Sequence, residues 1–273
     1  MDQHRMSTSN TALITGASSG LGAEFARQLA AGGYHLILTA RRKDRLEQLA
    51  AQLQAKVPVG VEILVEDLSK PEGQQSVIER IQRLPALDLL VNNAGFGIHG
   101  PFYAAETHKS AAMLQVHVNA SVLLARAALP GMIARRQGAI INVSSVAGLI
   151  PVRSVLYGST KAFLITFSEA LQDELRGTGV KVQALCPGFT VTEFHETPEY
   201  TGFDRRRIPR PLWLTAEQVV RESIQHLSRK SVICIPGFQY KMIGVIARNS
   251  LSGYFVRRIG TRLFHKRPTQ EEI

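Results

Sequence analysis

Apolar positions along this chain fall into two patterns that take turns. Short runs of four to six residues are almost unbroken: Ala12-Leu-Ile-Thr15, Tyr34–Thr39, Val61–Val65, Leu87–Val91 and Ala139–Val143. Runs this short and this apolar predict strands buried on both faces. Between them, apolar residues recur at three- and four-residue spacing, which predicts helices over Ala23–Ala31, Arg45–Ala55 (Leu46, Leu49, Leu53) and Pro71–Leu84, where Pro71 suits a first turn. Longer helical stretches are predicted over Glu106–Arg136 and Val155–Leu175. A last helix spans Thr215–Leu227, with Thr215 as N-cap, and a last strand Ser231–Pro236.

Strand and helix alternating in this way predict an α/β fold of Rossmann type: a doubly wound parallel sheet of about seven strands with helices on both faces and a helical C-terminal extension. Ligands of such sheets bind at the carboxyl ends of the strands. The expected organisation is a polar tail over 1–10, an α/β domain over 11–237 whose segment 189–214 covers a cleft, and a basic extension over 238–273.

Composition narrows the class. In 273 residues with 45% apolar content there is material for a large core. No apolar run approaches 18 residues and the first ten residues carry no apolar leader core, so the expectation is a cytoplasmic protein with no spanning helix. Cys186 and Cys234 lack a CxxC partner and are expected as buried thiols, and the eight scattered histidines offer no metal site.

The net charge of +10 is concentrated in the tail. From Ser223 to Gln270 there are nine Lys or Arg and no acid, which leaves +1 for the rest of the chain. Within that stretch Leu251, Phe255, Ile259 and Leu263 share one stripe flanked by Arg258 and Arg262. Packing on the domain or on a neighbouring subunit is the first reading of this stripe, and peripheral contact with anionic lipid at the inner membrane surface is the second. Nucleic acid is the least suited partner, because the cations are dispersed among apolar residues.

Candidate chemistry lies where strands end. Gly16-Ala-Ser18-Ser19-Gly20-Leu21-Gly22 follows the first strand and opens a helix, so its backbone can approach a phosphate at a helix N-terminus. After the second strand, where an acid would bind the ribose 2′-hydroxyl of NAD, stand Ala40 and Arg41. An arginine there suits the 2′-phosphate of NADP, and NADP(H) is preferred over NAD(H); a solvated basic helix start is the alternative. Tyr157 and Lys161 lie one helical turn apart, so the cation is expected to lower the phenol's pKa and fit it for acid–base work. Asn119, inside a predicted helix, marks either a local opening that hosts a water or orients the lysine, or a tolerated polar position. The covering segment carries Phe194, His195, Tyr200, Phe203, Trp213 and Arg205-Arg-Arg207, and its aromatics suggest a bulky apolar substrate.

Thr15-Gly-Ala-Ser-Ser-Gly-Leu-Gly22, Asn92-Asn-Ala-Gly95, Asn119, Ser144-Ser145, Tyr157-x-x-x-Lys161 and Pro187-Gly188 with Thr192 together resemble the short-chain dehydrogenase/reductase family over residues 10–192. The text around Tyr157 is similar to NADPH-linked bacterial ketoreductases of lipid-like substrates. The resemblance implies Tyr157 as proton donor, Lys161 on the nicotinamide ribose and a serine on the substrate oxygen. It implies Asn119 as holder of a water leading toward Lys161. It also implies Asp67 and Leu68 at the adenine, Asn93, Ala94 and Gly95 lining the cofactor, and Pro187, Gly188 and Thr192 at the nicotinamide. Family spacing to the tyrosine selects Ser144, while local context selects Ser145; Ser145 is favoured, with the loop Leu149–Leu156 then one residue short. The expected partners are a ketone or alcohol and a second copy of the chain, as homodimer or homotetramer. A non-catalytic dinucleotide-binding regulator or scaffold is the second class of function, and it has no need of the tyrosine–lysine–serine set.

Overall fold

The computed structural model describes residues 10–98, 100–150, 152, 154–195 and 208–242. The tail 1–9, the residues Tyr200, Phe203 and Arg205–Arg207 of the covering segment, and the amphipathic stripe beyond 242 lie outside the described residues.

Seven strands form one parallel sheet: β1 Thr11–Thr15, β2 His35–Ala40, β3 Val61–Val65, β4 Leu89–Asn92, β5 Gly138–Val143, β6 Val180–Leu185 and, after two short strands, β9 Ile233–Cys234. Their order is β3-β2-β1-β4-β5-β6-β9. The last strand is shorter than its apolar run because it pairs with β6 only at Ala184 and Leu185. A separate two-stranded ribbon joins β7 Thr190–Val191 to β8 Leu214–Thr215, near the two ends of the segment expected to cover the cleft.

Both faces of the sheet are buried, as parallel pairing requires. Side chains alternate: Ala12, Ile14, Leu36 and Leu38 point into one apolar layer, Leu13 and Ile37 into the other. The first layer is closed by helices α1 Gly20–Ala31, α2 Lys43–Gln54 and α7 Ala216–His226. The second is closed by α3 Pro71–Gln82, by α5 Ser121–Ala134 and by α6 Val155–Glu174. Full burial of a side chain such as Phe25 or Leu124 stabilises by about 1.5–3 kcal/mol. Thr215 caps α7 as expected, its Oγ1 accepting from the Gln218 amide at 3.1 Å.

The predicted helix over Glu106–Arg136 is one rod in three parts: α4 Thr107–Leu114, a π-turn Gln115–Ala120, then α5. Its 28-residue span is long and apolar enough, by composition, to cross a membrane. Met113, Val116, Leu124, Ala125, Ala128 and Met132 account for much of that apolarity by packing into the domain.

Beneath the carboxyl edge runs a buried polar chain. Asn92 Nδ2 donates to Asn142 Oδ1 at 2.9 Å and to the Ser121 carbonyl at 3.1 Å, and Asn142 Nδ2 donates to Ser168 Oγ at 2.9 Å. These bonds tie β4 and β5 to the starts and middles of the helices that carry the site. Tyr240 lies within the expected C-terminal extension yet is buried in the same core.

Candidate active site

The strand order reverses between β1 and β4, and the site is built at that point. The loop after β1 turns through Gly16, whose φ of +65° and position 2.8 Å (from a would-be Cβ) to Ala94 Cα leave room for glycine alone. Thr15 Oγ1 accepts from the Asn93 and Ala94 amides at 2.9 Å each, and Asn93 Nδ2 donates to the Thr15 and Gly16 carbonyls at 2.8 and 3.2 Å. Asn93 thus fastens the end of β4 to the glycine loop. Ser18, Ser19, Gly20, Leu21 and Gly22 lead into α1, whose first turn has no acidic residue and whose N-terminus can receive an anion.

Two arginines follow β2, and they face different ways. Arg41 lies near Asp67 at the end of β3. Burial opposes the Asp67 charge, but the Ser69 hydroxyl and amide, Arg41 and Lys70 prevail and hold its carboxyl below the ordinary value. Leu68 beside it is buried. It is Arg42 that reaches the glycine loop, donating from Nε and Nη2 to Ser18 Oγ at 3.2 and 3.1 Å. Arg42 is thus a second guanidinium at this strand end, held on Ser18, beside the Arg41 expected for the 2′-phosphate. These groups suit a dinucleotide, with glycines for close approach, a helix N-terminus for the pyrophosphate and guanidiniums for further phosphate.

At the other end of the cleft α6 presents Tyr157 and Lys161 on one face, with Lys161 Nζ 5.6 Å from the centre of the tyrosine ring. The Ser145 side chain hydrogen-bonds Tyr157. Ser145 also accepts from the Ala147 amide at 3.1 Å. Ser144 points the other way, is buried, and donates to the Lys161 carbonyl at 2.6 Å. Pro187 and Gly188 close the floor, the Pro187 carbonyl accepting from the Val146 amide at 3.0 Å. Phe194 covers the tyrosine from the far side, ring to ring at 5.9 Å.

Burial dominates the proton affinities here. It pushes the Tyr157 phenol up to about 12, against the Ser145 hydrogen bond. It pushes the Lys161 ammonium down to about 8, against the buried Cys186 thiol, while Nζ donates to the Val143 carbonyl at 2.8 Å. The shift therefore runs opposite to the expected lowering by the lysine neighbour, because desolvation of the phenolate is the dominant cause. At neutral pH the phenol holds its proton, which suits donation.

The structure does not bring Asn119 to this cluster. Asn119 is exposed and its Nδ2 donates to Gln115 Oε1 at 2.9 Å, along its own rod. The local opening expected there exists as the π-turn, a feature frequent at functional sites, but the side chain it turns inward is His117. His117 is fully buried, lies edge-on to the Tyr157 ring at 5.8 Å, and accepts at Nε2 from the Phe96 amide at 3.0 Å. Neutral imidazole has one donor, so Nδ1 carries the proton to Thr160 Oγ1 at 2.9 Å. Burial first, then the Lys161 cation, hold His117 well below its ordinary pKa. Gly95 abuts the ring: a Cβ there would lie 2.9 Å from Nε2.

His117, Arg42, Thr160 and Glu193 were not candidates by sequence. His117 carried a signal, since it falls on the buried stripe Met113, His117, Ala120, Leu124. A histidine on an apolar stripe is either a satisfied core residue or part of a site, and this one is satisfied within a site.

A parallel doubly wound sheet with a phenol, an ammonium and a hydroxyl gathered at its carboxyl edge defines a nicotinamide-dependent oxidoreductase acting on CH–OH groups. The chain belongs to the short chain dehydrogenase family, whose family model matches residues 10–200. It is 37% identical over 204 residues to a probable NADP-dependent dehydrogenase of Haemophilus influenzae, covering 72% of this chain and 77% of that one. Among solved structures it resembles a short-chain dehydrogenase from Sphingobium yanoikuyae in complex with NADPH, with 32% identity, a TM-score of 0.80 and 95% and 97% of the two chains covered. It also resembles the bulky-bulky ketone specific alcohol dehydrogenase from Comamonas testosteroni, at 28% identity, TM-score 0.76 and coverage of 95% and 96%.

Proposed function

We propose that this protein is an NADPH-dependent carbonyl reductase whose substrate is a bulky ketone or the corresponding secondary alcohol, of 3-oxoacyl or steroid-like size. The observation that carries the reading is the grouping of the Tyr157 phenol, bonded to Ser145, with the Lys161 ammonium in one buried corner. The nicotinamide supplies the hydride when bound.

In this reading Ser145 donates to the substrate carbonyl oxygen and Tyr157 protonates it as charge develops there. Lys161 binds the nicotinamide ribose and, as a cation, stabilises the phenolate left behind. His117 replaces Asn119 as the π-turn residue serving Lys161, through Thr160. Asp67 and Leu68 flank the adenine, Asn93, Ala94 and Gly95 line the middle of the cofactor, and Pro187, Gly188 and Thr192 hold its nicotinamide end. Preference for NADP(H) over NAD(H) rests on Arg42 with Ser18 and on Arg41 near Asp67. Bulk in the substrate is supported by the aromatic ring of Phe194 beside Tyr157 and by the ketone specificity named for the Comamonas testosteroni relative. Pairing into dimers or tetramers is supported by exposed Leu114 and Leu123 on the long rod and Phe163 on α6.

The test is NADPH oxidation against a panel of bulky ketones, 3-oxoacyl thioesters and small aldehydes, using the parent chain and Tyr157→Phe, Ser145→Ala and Ser144→Ala. Tyr157→Phe is expected to lower turnover by about 10²–10⁴ and Ser145→Ala by about 10–10², with Ser144→Ala near parental rate. A Tyr157→Phe enzyme as fast as the parent would end this reading.

A further inference from the structure

The segment that leaves β7 crosses the whole site in three consecutive residues. Thr192 packs against the glycine loop, where a Cβ on Gly20 would lie 3.3 Å from Thr192 Cβ. Glu193 reaches the other way: its Oε2 lies 3.1 Å from Arg42 Nη1 and its Oε1 3.7 Å from Arg45 Nη1. Phe194 then lays its ring on Tyr157. One short stretch therefore touches the phosphate loop, the basic end of the cleft and the acid–base tyrosine.

Arg42 is shared. Two of its nitrogens hold Ser18 Oγ and the third holds the Glu193 carboxylate. An anion that sought the Arg42, Arg45 and Ser18 donors would want the same N–H groups that Glu193 occupies. Carboxylate and phosphate oxygens address a guanidinium through the same forked geometry, and a phosphate dianion brings the greater charge. The Glu193 pair is close to half exposed, so it is screened and easily exchanged.

We propose that Glu193 is an internal competitor for the 2′-phosphate of NADP(H): it occupies Arg42 and Arg45, and the incoming phosphate displaces it, freeing the stretch whose Phe194 covers Tyr157. The proposal rests on the reading of NADP(H) as cofactor. It makes Glu193 a residue that sets cofactor discrimination without touching the cofactor in the bound state. NADH, lacking the phosphate, leaves the clasp closed.

The experiment titrates the full chain with NADPH, NADH and 2′-AMP, at low and high salt, for the parent, Glu193→Gln and Arg42→Ala. Glu193→Gln is expected to tighten NADPH and 2′-AMP by about threefold to tenfold at low salt, with a smaller gain at high salt and none for NADH. Arg42→Ala is expected to weaken NADPH about tenfold or more and to abolish the gain in the double variant. If Arg42→Ala weakens NADPH but Glu193→Gln changes nothing, or tightens NADPH and NADH alike, the competition is overturned and the cofactor reading stands. If the parent binds NADPH no more tightly than NADH and Arg42→Ala is without effect, the cofactor reading itself fails.

Discussion

His117 Nδ1 meets Thr160 Oγ1 at 2.9 Å, and this bond joins the π-turn of the long rod to the residue that precedes Lys161 on α6. Thr160 in turn donates to the Tyr157 carbonyl at 2.9 Å, so the imidazole is tied to both ends of the Tyr157–Lys161 turn. Its other nitrogen holds the strand-end segment at Phe96.

A neutral imidazole is required for that arrangement, because a protonated one cannot accept from Phe96. The folded pKa is depressed, so the unfolded chain binds the extra proton first. Stability from this group is complete above the unfolded value near 6.5 and falls with decreasing pH by about 1.4 kcal/mol per unit until the folded value is reached. His117→Gln, which can still accept from one group and donate to another, is expected to flatten that slope and to retain turnover better than His117→Leu. Urea unfolding and kcat measured between pH 5 and 8 check both; an unchanged acid slope in His117→Gln would sink the assignment.

Lys161 is shifted in the same direction but stays charged at neutral pH. Its folded pKa of about 8 lies below the ordinary 10.5, so at pH 7 the protein holds a buried cation at a cost of about 3 kcal/mol, relieved as pH rises from 8 toward 10.5. Lys161→Met removes that cost and also the bond to the Val143 carbonyl, a loss of about 1 kcal/mol. The variant is expected to unfold at higher temperature than the parent at pH 7, with the difference shrinking by pH 10, while ketone reduction falls by about 100-fold or more. Thermal scans at the two pH values decide it: a lower melting temperature at pH 7 would contradict the burial argument.

Tyr240 anchors the start of the C-terminal segment to the loop after β6 at Gly188 and Phe189. Its hydroxyl donates to the Leu212 carbonyl at 2.6 Å and accepts from the Phe189 amide at 3.0 Å, and its ring lies so close over Gly188 that a Cβ there would be 2.0 Å from Cζ. Tyr240→Phe is expected to lower stability by about 1–3 kcal/mol by leaving those two groups unpaired, and Gly188→Ala by a similar amount through overpacking. Chemical denaturation measures both; a neutral Gly188→Ala would show that the ring moves aside freely.

Local rules in the sequence determined a great deal of this protein. Run length and spacing placed six of the seven strands of the main sheet, β6 Val180–Leu185 being the exception, and every major helix to within a few residues, because each element buries its own apolar face and the period of that face is written in the chain. The glycine loop and the Tyr157–Lys161 pair were legible for the same reason: each depends on neighbours within one turn. What only the tertiary structure decided depends on direction and on distant partners. A π-turn closes its bonds one residue further along and so changes which residue faces inward, which is why His117 rather than Asn119 enters the site. The backbone just after β5 decides that Ser144 bonds the Lys161 carbonyl while Ser145 meets the Tyr157 side chain, and the chain after β2 decides that Arg42 reaches Ser18. The proton affinity of Tyr157 was set by enclosure, with Phe194 brought onto it from the far side of the cleft, and no count of neighbouring residues along α6 carries that information.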